Sequence, residues 1–451
     1  MKKGMFFALA ASSLLFSACS SDDAVVSTEG QNEAVQQIVL QVASSGDGLT
    51  TRAGRPLYSS EALQTIQNVR VLIYNADTKA IVKDAKLDWE TSTTYTNHGR
   101  QLTLTYKGDE RLSEGSYKVM AVGYSDNSDY NYSLDVTSDA ALAGTYSDIT
   151  ATLKAGKKDA EEVFAGDAAL TIGDDKKITN LTEGEENGVA VTLHRQVAGS
   201  FGYFQNIPAS VNGKIAKTLR LVVRDKNDML TFNNFNSSFT ANGATGSTVK
   251  YYVNGSKSAA APTSDAQFKG GDNGYVLYSI DLSKWFPQLD ENGDGVLNAQ
   301  DTHWKRPDNV KTQVVNGSVF GSNFVIPFAL THEKSTMELQ LLDAEGNIIK
   351  FWTVSIPSTD VNSDNTNGNV ADESASIFNV VRNHMYNLGV KTSNGTTTTP
   401  DPSNPDPDPK PDPKPDPTPG TDEPEDLSKS QNLILKVNDN WEAIHKMELG
   451  D

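Results

Sequence analysis

The chain has 451 residues and a formal charge of −19, from 39 basic against 58 acidic side chains, with 37% hydrophobic residues. That acidity disfavours nucleic acid and anionic membrane surfaces as partners, and a single cysteine, Cys19, rules out an intramolecular disulfide. The length suits about two or three ordinary domains, and the six histidines are scattered without metal-ligand spacing.

Residues 1–18 begin Met1-Lys2-Lys3 and run through an apolar stretch to small residues. They read as a secretory signal peptide, too short for a stable membrane span. Its end, Leu15-Phe16-Ser17-Ala18-Cys19, resembles the lipobox of bacterial lipoproteins. That resemblance implies cleavage before Cys19 and an N-terminal lipid on its thiol. Each buried CH₂ contributes ~0.8 kcal/mol, so two or three acyl chains would hold firmly. An ordinary signal peptide with a chance cysteine is the plainer alternative. Ser20-Ser21-Asp22-Asp23 resembles the short acidic tag that sends lipoproteins to the surface of some Gram-negative anaerobes.

The first strand pattern is VQQIVLQV (35–42), with Ile38, Leu40 and Val42 on one face and Gln37, Val39 and Gln41 on the other. LTTRAGRPLY (49–58) follows, with two arginines in a Gly/Thr context. It suits a trypsin-like cut after Arg52; Arg55 is the alternative, but it precedes Pro56. A plain basic loop remains open.

The rest, from VRVLIYN (69–75) and YKVMAVGY (117–124) through KTLRLVVRD (217–225) to IIKFWTVSI (348–356), is rich in β-branched and aromatic residues. Polar turns separate these runs, and long 3.6-residue periodicity is missing. EALQTIQ (61–67) suits a short helix. The pattern predicts an all-β chain of two tandem antiparallel β-sandwich domains, transthyretin-like or Greek-key. The turn GEENG (184–188) divides them into 53–188 and 189–395, after a propeptide at 19–52 that carries the first strand.

DENGDGVLNAQD (290–301) has the spacing of an EF-hand calcium loop. Asp290, Asn292 and Asp294 stand at positions one, three and five. Gly295 allows the sharp turn, Val296 offers its carbonyl, and Asn298 and Asp301 follow. The loop predicts a structural calcium ion; a polar turn that binds nothing is the alternative. Asp301 is shorter than the usual glutamate, and Pro287 interrupts a flanking helix.

Residues 396–430 hold most of the prolines, alternating with Asp and Lys. As extended polyproline II, residues 400–419 would span roughly 60 Å. Beyond the spacer, 431–451 alternates again: Leu433, Leu435 and Val437 share one face. This terminal strand either donates to a neighbour or closes its own domain.

These features combine. A cut at Arg52 would release the first strand and leave an unpaired edge, which is a template for another chain's strand. Head-to-tail joining of that kind gives an open filament.

In this order the lipobox with SSDD, the early strand followed by TTRAG, TLHRQVAG (192–199), RNHMYNLGVK (382–391) and the closing NLILKVNDNWEAIHKMEL resemble the fimbrillins that build type V pili. The resemblance implies a structural fimbrial subunit contributing to adhesion. It implies surface delivery as an outer-membrane lipoprotein, cutting at Arg52 by an arginine-specific protease, and polymerisation with other pilin subunits by donor-strand exchange. In it 34–43 is the displaced strand and 432–449 the donor.

A pilus anchor or a tip adhesin is the variant reading. A surface glycan-binding lipoprotein that keeps its lipid is the rival; it would need exposed aromatic platforms, for which Trp89 and Trp304 are the candidates. Trp285, Trp352 and Trp441 read as buried. No GxSxG, HExxH or phosphate loop occurs, so the chain is read as no enzyme.

Overall fold

The computed structural model describes residues 35–42, 66–182, 190–232, 254–308, 314–331, 337–355, 377–389 and 423–438, less 93, 97–98, 225, 262, 270–272, 381, 383–384 and 430–431. Cys19, Arg52, Arg55, residues 396–422 of the spacer and residues 439–451 therefore lie outside the described residues, as does most of 61–67, whereas the last part of the spacer, 423–429, is described. The body is all β, as its alternating and β-branched segments predict. The described helices are single turns at Trp89–Ser92 and Leu282–Trp285, plus a 3₁₀ turn at Gly108–Glu110.

The first sandwich comprises β1 (Gln36–Val42), β2 (Asn68–Asn75), β3 (Ile81–Asp88), β4 (Thr94–Thr96), β5 (Gly99–Tyr106), β6 (Gly115–Tyr124), β7 (Tyr130–Tyr132), β8 (Thr150–Leu153), β9 (Phe164–Ile172), β10 (Ile178–Thr182) and β11 (Ala190–Arg195). One curled sheet runs β3-β2-β6-β9-β11-β1-β5-β4, with β10 on β9. The curl folds it back on itself around a core. Val69, Val71 and Ile73 of β2, and Val119 and Ala121 of β6, meet Ile38 and Leu40 of β1 and Leu102 and Leu104 of β5. The alternate residues Leu72, Tyr74, Met120 and Val122 point the other way and are also buried. Central strands covered on both faces thus read as continuous apolar runs.

The second sandwich comprises β12 (Ala198–Gln205), β13 (Ile207–Pro208), β14 (Ser210–Val211), β15 (Lys214–Ile215), β16 (Thr218–Val223), β17 (Met229–Thr231), β18 (Gly255–Ser256), β19 (Ala266–Gln267), β20 (Asn273–Asp281), β21 (Val296–Leu297), β22 (Val319–Val325), β23 (Phe328–Thr331), β24 (Met337–Leu342), β25 (Ile348–Ser355), β26 (Ile377–Val380), β27 (Met385–Leu388), β28 (Glu425–Asp426), β29 (Asn432–Ile434) and β30 (Lys436–Asn438). One sheet is β19-β20-β16-β24-β25-β29; the other is β22-β12-β27-β30, with β28 also on β12. Their shared core holds Phe204, Leu219, Leu221, Tyr278, Leu339, Leu341 and Trp352.

The boundary expected at 188/189 comes one strand early. β11 pairs with β1 and β9 of the first sheet, so the chain changes sandwich between Arg195 and Ala198. The two bodies also share structure: β8 of the first pairs with β17 of the second. A third core gathers Tyr124, Tyr130 and Val136 with Leu230, Phe232 and Ile326 across the junction.

Candidate strand slot and cation loop

β1 lies inside its sheet, antiparallel to β5 through Ile38↔Leu104 and Leu40↔Leu102, and parallel to β11 through Leu40↔Val191 and Val42↔Leu193. Ile38 and Leu40 are fully buried, each worth about 1.5–3 kcal/mol of transfer free energy. Alternation places Gln36 on the same inward face, and its side chain is 1% exposed. Its carboxamide donates to the carbonyls of Leu112 at 3.0 Å and Lys176 at 2.7 Å. Its oxygen accepts from the Leu112 N–H at 2.7 Å. Sequence reasoning passed over this residue, although a glutamine in phase with the buried Ile38 and Leu40 was the available signal.

The pairing makes β1 a bridge. Beyond β1, β5 pairs among the described residues only with β4. On the other side, residues 190–193 of β11 pair with β1, whereas β11 meets β9 only at His194 and Arg195. Gly166 of β9 marks the crowding there: a Cβ on it would lie 1.9 Å from the Thr192 carbonyl oxygen. Without β1 no ladder among the described residues would join the β4–β5 hairpin to the rest of the sheet.

The described part of the tail lies in the second sandwich. β29 runs parallel to β25 and β30 antiparallel to β27, each at a sheet edge. Leu427, Leu433 and Leu435 enter the core. The ends of the spacer meet: β27 leaves β12 at Gly202↔Leu388, and β28 resumes beside it at Phe204↔Glu425. Gly389 sits between them at φ +79°, where a Cβ would be 2.5 Å from the Tyr203 carbonyl and 3.1 Å from the Glu425 nitrogen. The tail therefore reaches this place without a long span. Burial tends to raise the Asp426 pKa, but hydrogen bonds from Lys429, Ser428 and Asn206 outweigh it and hold the carboxyl at about 2.

Residues 290–301 form a compact loop after the helix turn Leu282–Trp285, which Asp281 caps by accepting from the Ser283 N–H at 3.1 Å. Leu297 is buried and pairs with Ile207, pinning the loop to the sandwich. Gly293 and Gly295 take the left-handed conformation the turn requires.

Asp290 accepts from the Gly295 N–H at 3.1 Å, and the buried Asp301 accepts from the N–H groups of Glu291 and Asn298. Asp294 accepts from the Val296 N–H and from the amides of Asn292 and Asn298. The Asn298 amide and the Val296 N–H chiefly hold the Asp294 carboxyl below its usual pKa.

The donor set is all oxygen, as a hard cation requires. Its oxygens here face N–H groups, and among the described residues no three His, Cys, Asp or Glu side chains gather as a metal group.

The aromatic platform expected at Trp89 is not formed. Trp89 is fully buried in the first core. Trp304 is half-buried against the second, 6.3 Å from Trp285, and donates to the Ser318 carbonyl at 2.8 Å. Each indole lies in a turn that folds inward, which local sequence does not disclose. Trp285 and Trp352 are buried as expected, and Trp441 lies outside the described residues.

The segments TLHRQVAG and RNHMYNLGVK meet at the domain junction. Arg195 reaches Glu162 at 2.6 Å, both nearly solvent-free. Gln196 accepts from Arg382 at 3.3 Å and from Asn254 at 2.8 Å.

The whole is a pair of β-sandwiches in which a short terminal strand bridges one sheet and a tail strand closes the other. No protein-family model matches the chain, and no curated protein matches it. Among solved structures it is similar to a fimbrial assembly protein from Parabacteroides distasonis, at 14% identity and TM-score 0.32, covering 80% of this chain and 92% of that one.

It is similar too to the tip fimbrial protein Mfa3 from Porphyromonas gingivalis, at 9% identity and TM-score 0.34 over 79% and 94%. A third is a protein described as a cell adhesion protein from Bacteroides eggerthii, at 12% and 0.36 over 79% and 85%. At these values the likeness is partial, and the function has to be read from this chain's own residues. Among the described residues no helix is long and apolar enough to cross a membrane.

Proposed function

We propose that the chain is a structural subunit of a surface fimbria, with no catalytic role, and that its first sandwich accepts a strand from a neighbouring subunit in the place of β1. The observation that supports this most is the position of β1. It is short, apolar on one face and paired on both edges, and it is joined to β2 only through residues 43–67, which contain Arg52. A cut after Arg52 would free it from the body, and the vacated edges of β5 and β11 would offer main-chain partners and apolar pockets. In this reading the precursor is held to the outer membrane by lipid on Cys19 until an arginine-specific protease acts, and its partners are other subunits.

A tip or terminal position is a second reading. It is favoured by the tail, because β29 and β30 complete this chain's own second sandwich. Calcium at residues 290–301 belongs to the proposal as a structural ion. Asn292 and Asn298 can present oxygen in place of nitrogen by turning their carboxamides, at no change of volume.

The deciding experiment is the intact mass and N-terminal residue of the protein recovered from the cell surface. A start at Ala53 without lipid supports strand removal. A start at lipidated Cys19 overturns it and leaves an anchor or a glycan-binding lipoprotein.

A further inference from the structure

β3 is the terminal strand of the large first sheet: β2 pairs with one of its edges, and among the described residues no strand pairs with the other. The terminal strands β4, β19, β29 and β30 have two or three residues. β22 has seven, but it is buried at Val319, Phe320 and Val325 and bridged at Phe324 to Ala160. No residue of β3 is buried. The open stretch has two fixed ends. At its start the ladder with β2 shifts by one residue at Val82, Thr145 bridges Ala80, and the Ile81 N–H donates to the Gly144 carbonyl at 2.8 Å. At its end Trp89 turns into the core. Residues 83–88 between them keep a regular ladder to β2 and leave one edge unpaired, which is a template for another strand.

An edge that pairs with its own copy does so antiparallel about a two-fold axis. Opposed side chains then lie on the same sheet face, so the axis falls between two copies of one residue. Centred on Lys83, Asp84 or Lys86, the pairing opposes two like charges. Centred on Leu87, it covers only 86–88 before the turn at Trp89. Centred on Ala85, it opposes Asp84 to Lys86 of the other copy, twice, and Lys83 to Leu87, twice. In that register Trp89 of the other copy would leave the edge opposite Ile81, where Gly144 blocks it. Both charged groups keep capacity for the contact. Asp84 accepts three N–H groups, two from Arg70 and that of Leu142 at 2.6 Å, and retains a lone pair. Lys86 donates to the Thr137 carbonyl at 2.9 Å and to Asp139 at 2.6 Å, and retains its third N–H.

We propose that β3 is a self-pairing edge that joins two copies of the chain side by side, antiparallel and centred on Ala85. The occupant is a second copy because the charges of the strand complement themselves in this one register. Lysine on an open edge usually keeps other strands away. Here Lys86 stands two residues from Asp84, so the charges that repel a shifted strand match a copy in the Ala85 register. Val82, 42% exposed at the bulge, would lie at the rim of the contact. β3 pairs with neither β1, β5 nor β11, so this contact does not draw on the strand slot. In a fimbria it would link neighbouring filaments across their length, but the contact itself does not depend on the fimbrial reading.

The test uses the full chain carrying Cys19→Ser, which removes its single thiol. Sedimentation velocity over a range of concentrations reads the pairing, and single cysteines read the register. Opposed Cα atoms of an antiparallel pair lie ~4.5–5.5 Å apart, within the ~4.4–6.8 Å that a disulfide spans. Ala85→Cys is therefore expected to link to itself on mild oxidation. Lys83→Cys and Leu87→Cys are expected to link when mixed and not alone, because each would lie ~13 Å from its own copy. Lys86→Glu sets a like charge against Asp84 at two places and is expected to weaken the pairing by about tenfold. Thermal melting shows that each variant is folded.

A chain that stays monomeric at every concentration, with Ala85→Cys linking no more than the exposed Ile215→Cys on the second sandwich, overturns the proposal and leaves Lys86 as a guard of the edge. Self-linking of Lys83→Cys as strong as that of Ala85→Cys overturns the register. A dimer that Lys86→Glu leaves unchanged lies on another surface and overturns the proposal too. Should Leu87→Cys fail to fold, the comparison of Ala85→Cys with Lys83→Cys still decides.

Discussion

The carboxamide of Gln36 and the backbone of Leu112, 76 residues apart in sequence, pair reciprocally, with amide to carbonyl at 3.0 Å and N–H to amide oxygen at 2.7 Å. The pair pins the end of a strand that could otherwise slide along its neighbours. Sliding by one residue would turn Ile38 and Leu40 out of the core. Gln36→Ala leaves the Leu112 N–H buried and unpaired, so a loss of about 1–3 kcal/mol is expected. Urea unfolding of the full chain measures it, and an unchanged midpoint would show that the pair is energetically idle.

Loss of β1 should act unevenly. The β4–β5 hairpin and residues 190–193 pair with the rest of the sheet through β1, whereas β2, β6 and β9 pair with one another. Hydrogen exchange on the nicked, strand-free protein should show fast exchange at 99–106 and 190–193 with protection kept in 117–123. Uniform protection throughout would mean that the slot has walls independent of its strand.

The first sandwich carries a buried ion pair at the end of β11. Glu162 and Arg195 meet at 2.6 Å with almost no solvent contact, and the Arg195 guanidinium lies 5.0 Å from the centre of the Phe164 ring. Removing one partner strands the other charge, so Arg195→Ala should cost about 3–5 kcal/mol. The double variant Glu162→Gln/Arg195→Met should recover part of that loss. A double-mutant cycle by chemical denaturation gives the coupling, and additive losses would deny that the two act as a pair.

Calcium is the expected ligand of residues 290–301, with affinity in the ~10⁻⁴–10⁻³ M range of extracellular modules. Calorimetry on chelator-treated protein should show heat at millimolar calcium, lost in Asp294→Ala. Silence in the parent, with the variant identical, ends the idea. The variant itself also loses three hydrogen bonds to Asp294, so its thermal stability in chelator serves as the control.

Docking of the tail should depend on acid pH through Asp426. Its carboxyl is held at about 2 in the folded chain, against about 3.9 for a free aspartate. A depressed pKa gives stability that is complete above about pH 4 and is lost as pH falls toward about 2. Asp426→Asn should flatten that part of the acid profile, read by exchange protection of 432–438. An acid profile identical in parent and variant would assign the loss to other carboxylates.

The calcium-loop spacing and the principal strand runs were legible because both are local. Asp290, Gly295 and Leu297 fall at set offsets, and the two-residue period marks which side chains share a face. The Trp89 expectation failed because a turn-like setting does not say whether the turn folds in or out. Gln36 was legible only in part: its phase was visible, but its partners at Leu112 and Lys176 come from distant turns.

By itself the sequence determined the all-β class, the alternation of β1 and of the tail, and the oxygen-bearing residues of the 290–301 loop. These follow from backbone periodicity and side-chain chemistry, which act within a few residues. Only the tertiary structure decided that β1 lies between β5 and β11, that β11 belongs to the first sheet, and that the spacer leaves and returns at one place beside β12. Strand pairing joins segments far apart in the chain. Its choice is made by which apolar faces and unpaired edges fit together once the whole chain is compact.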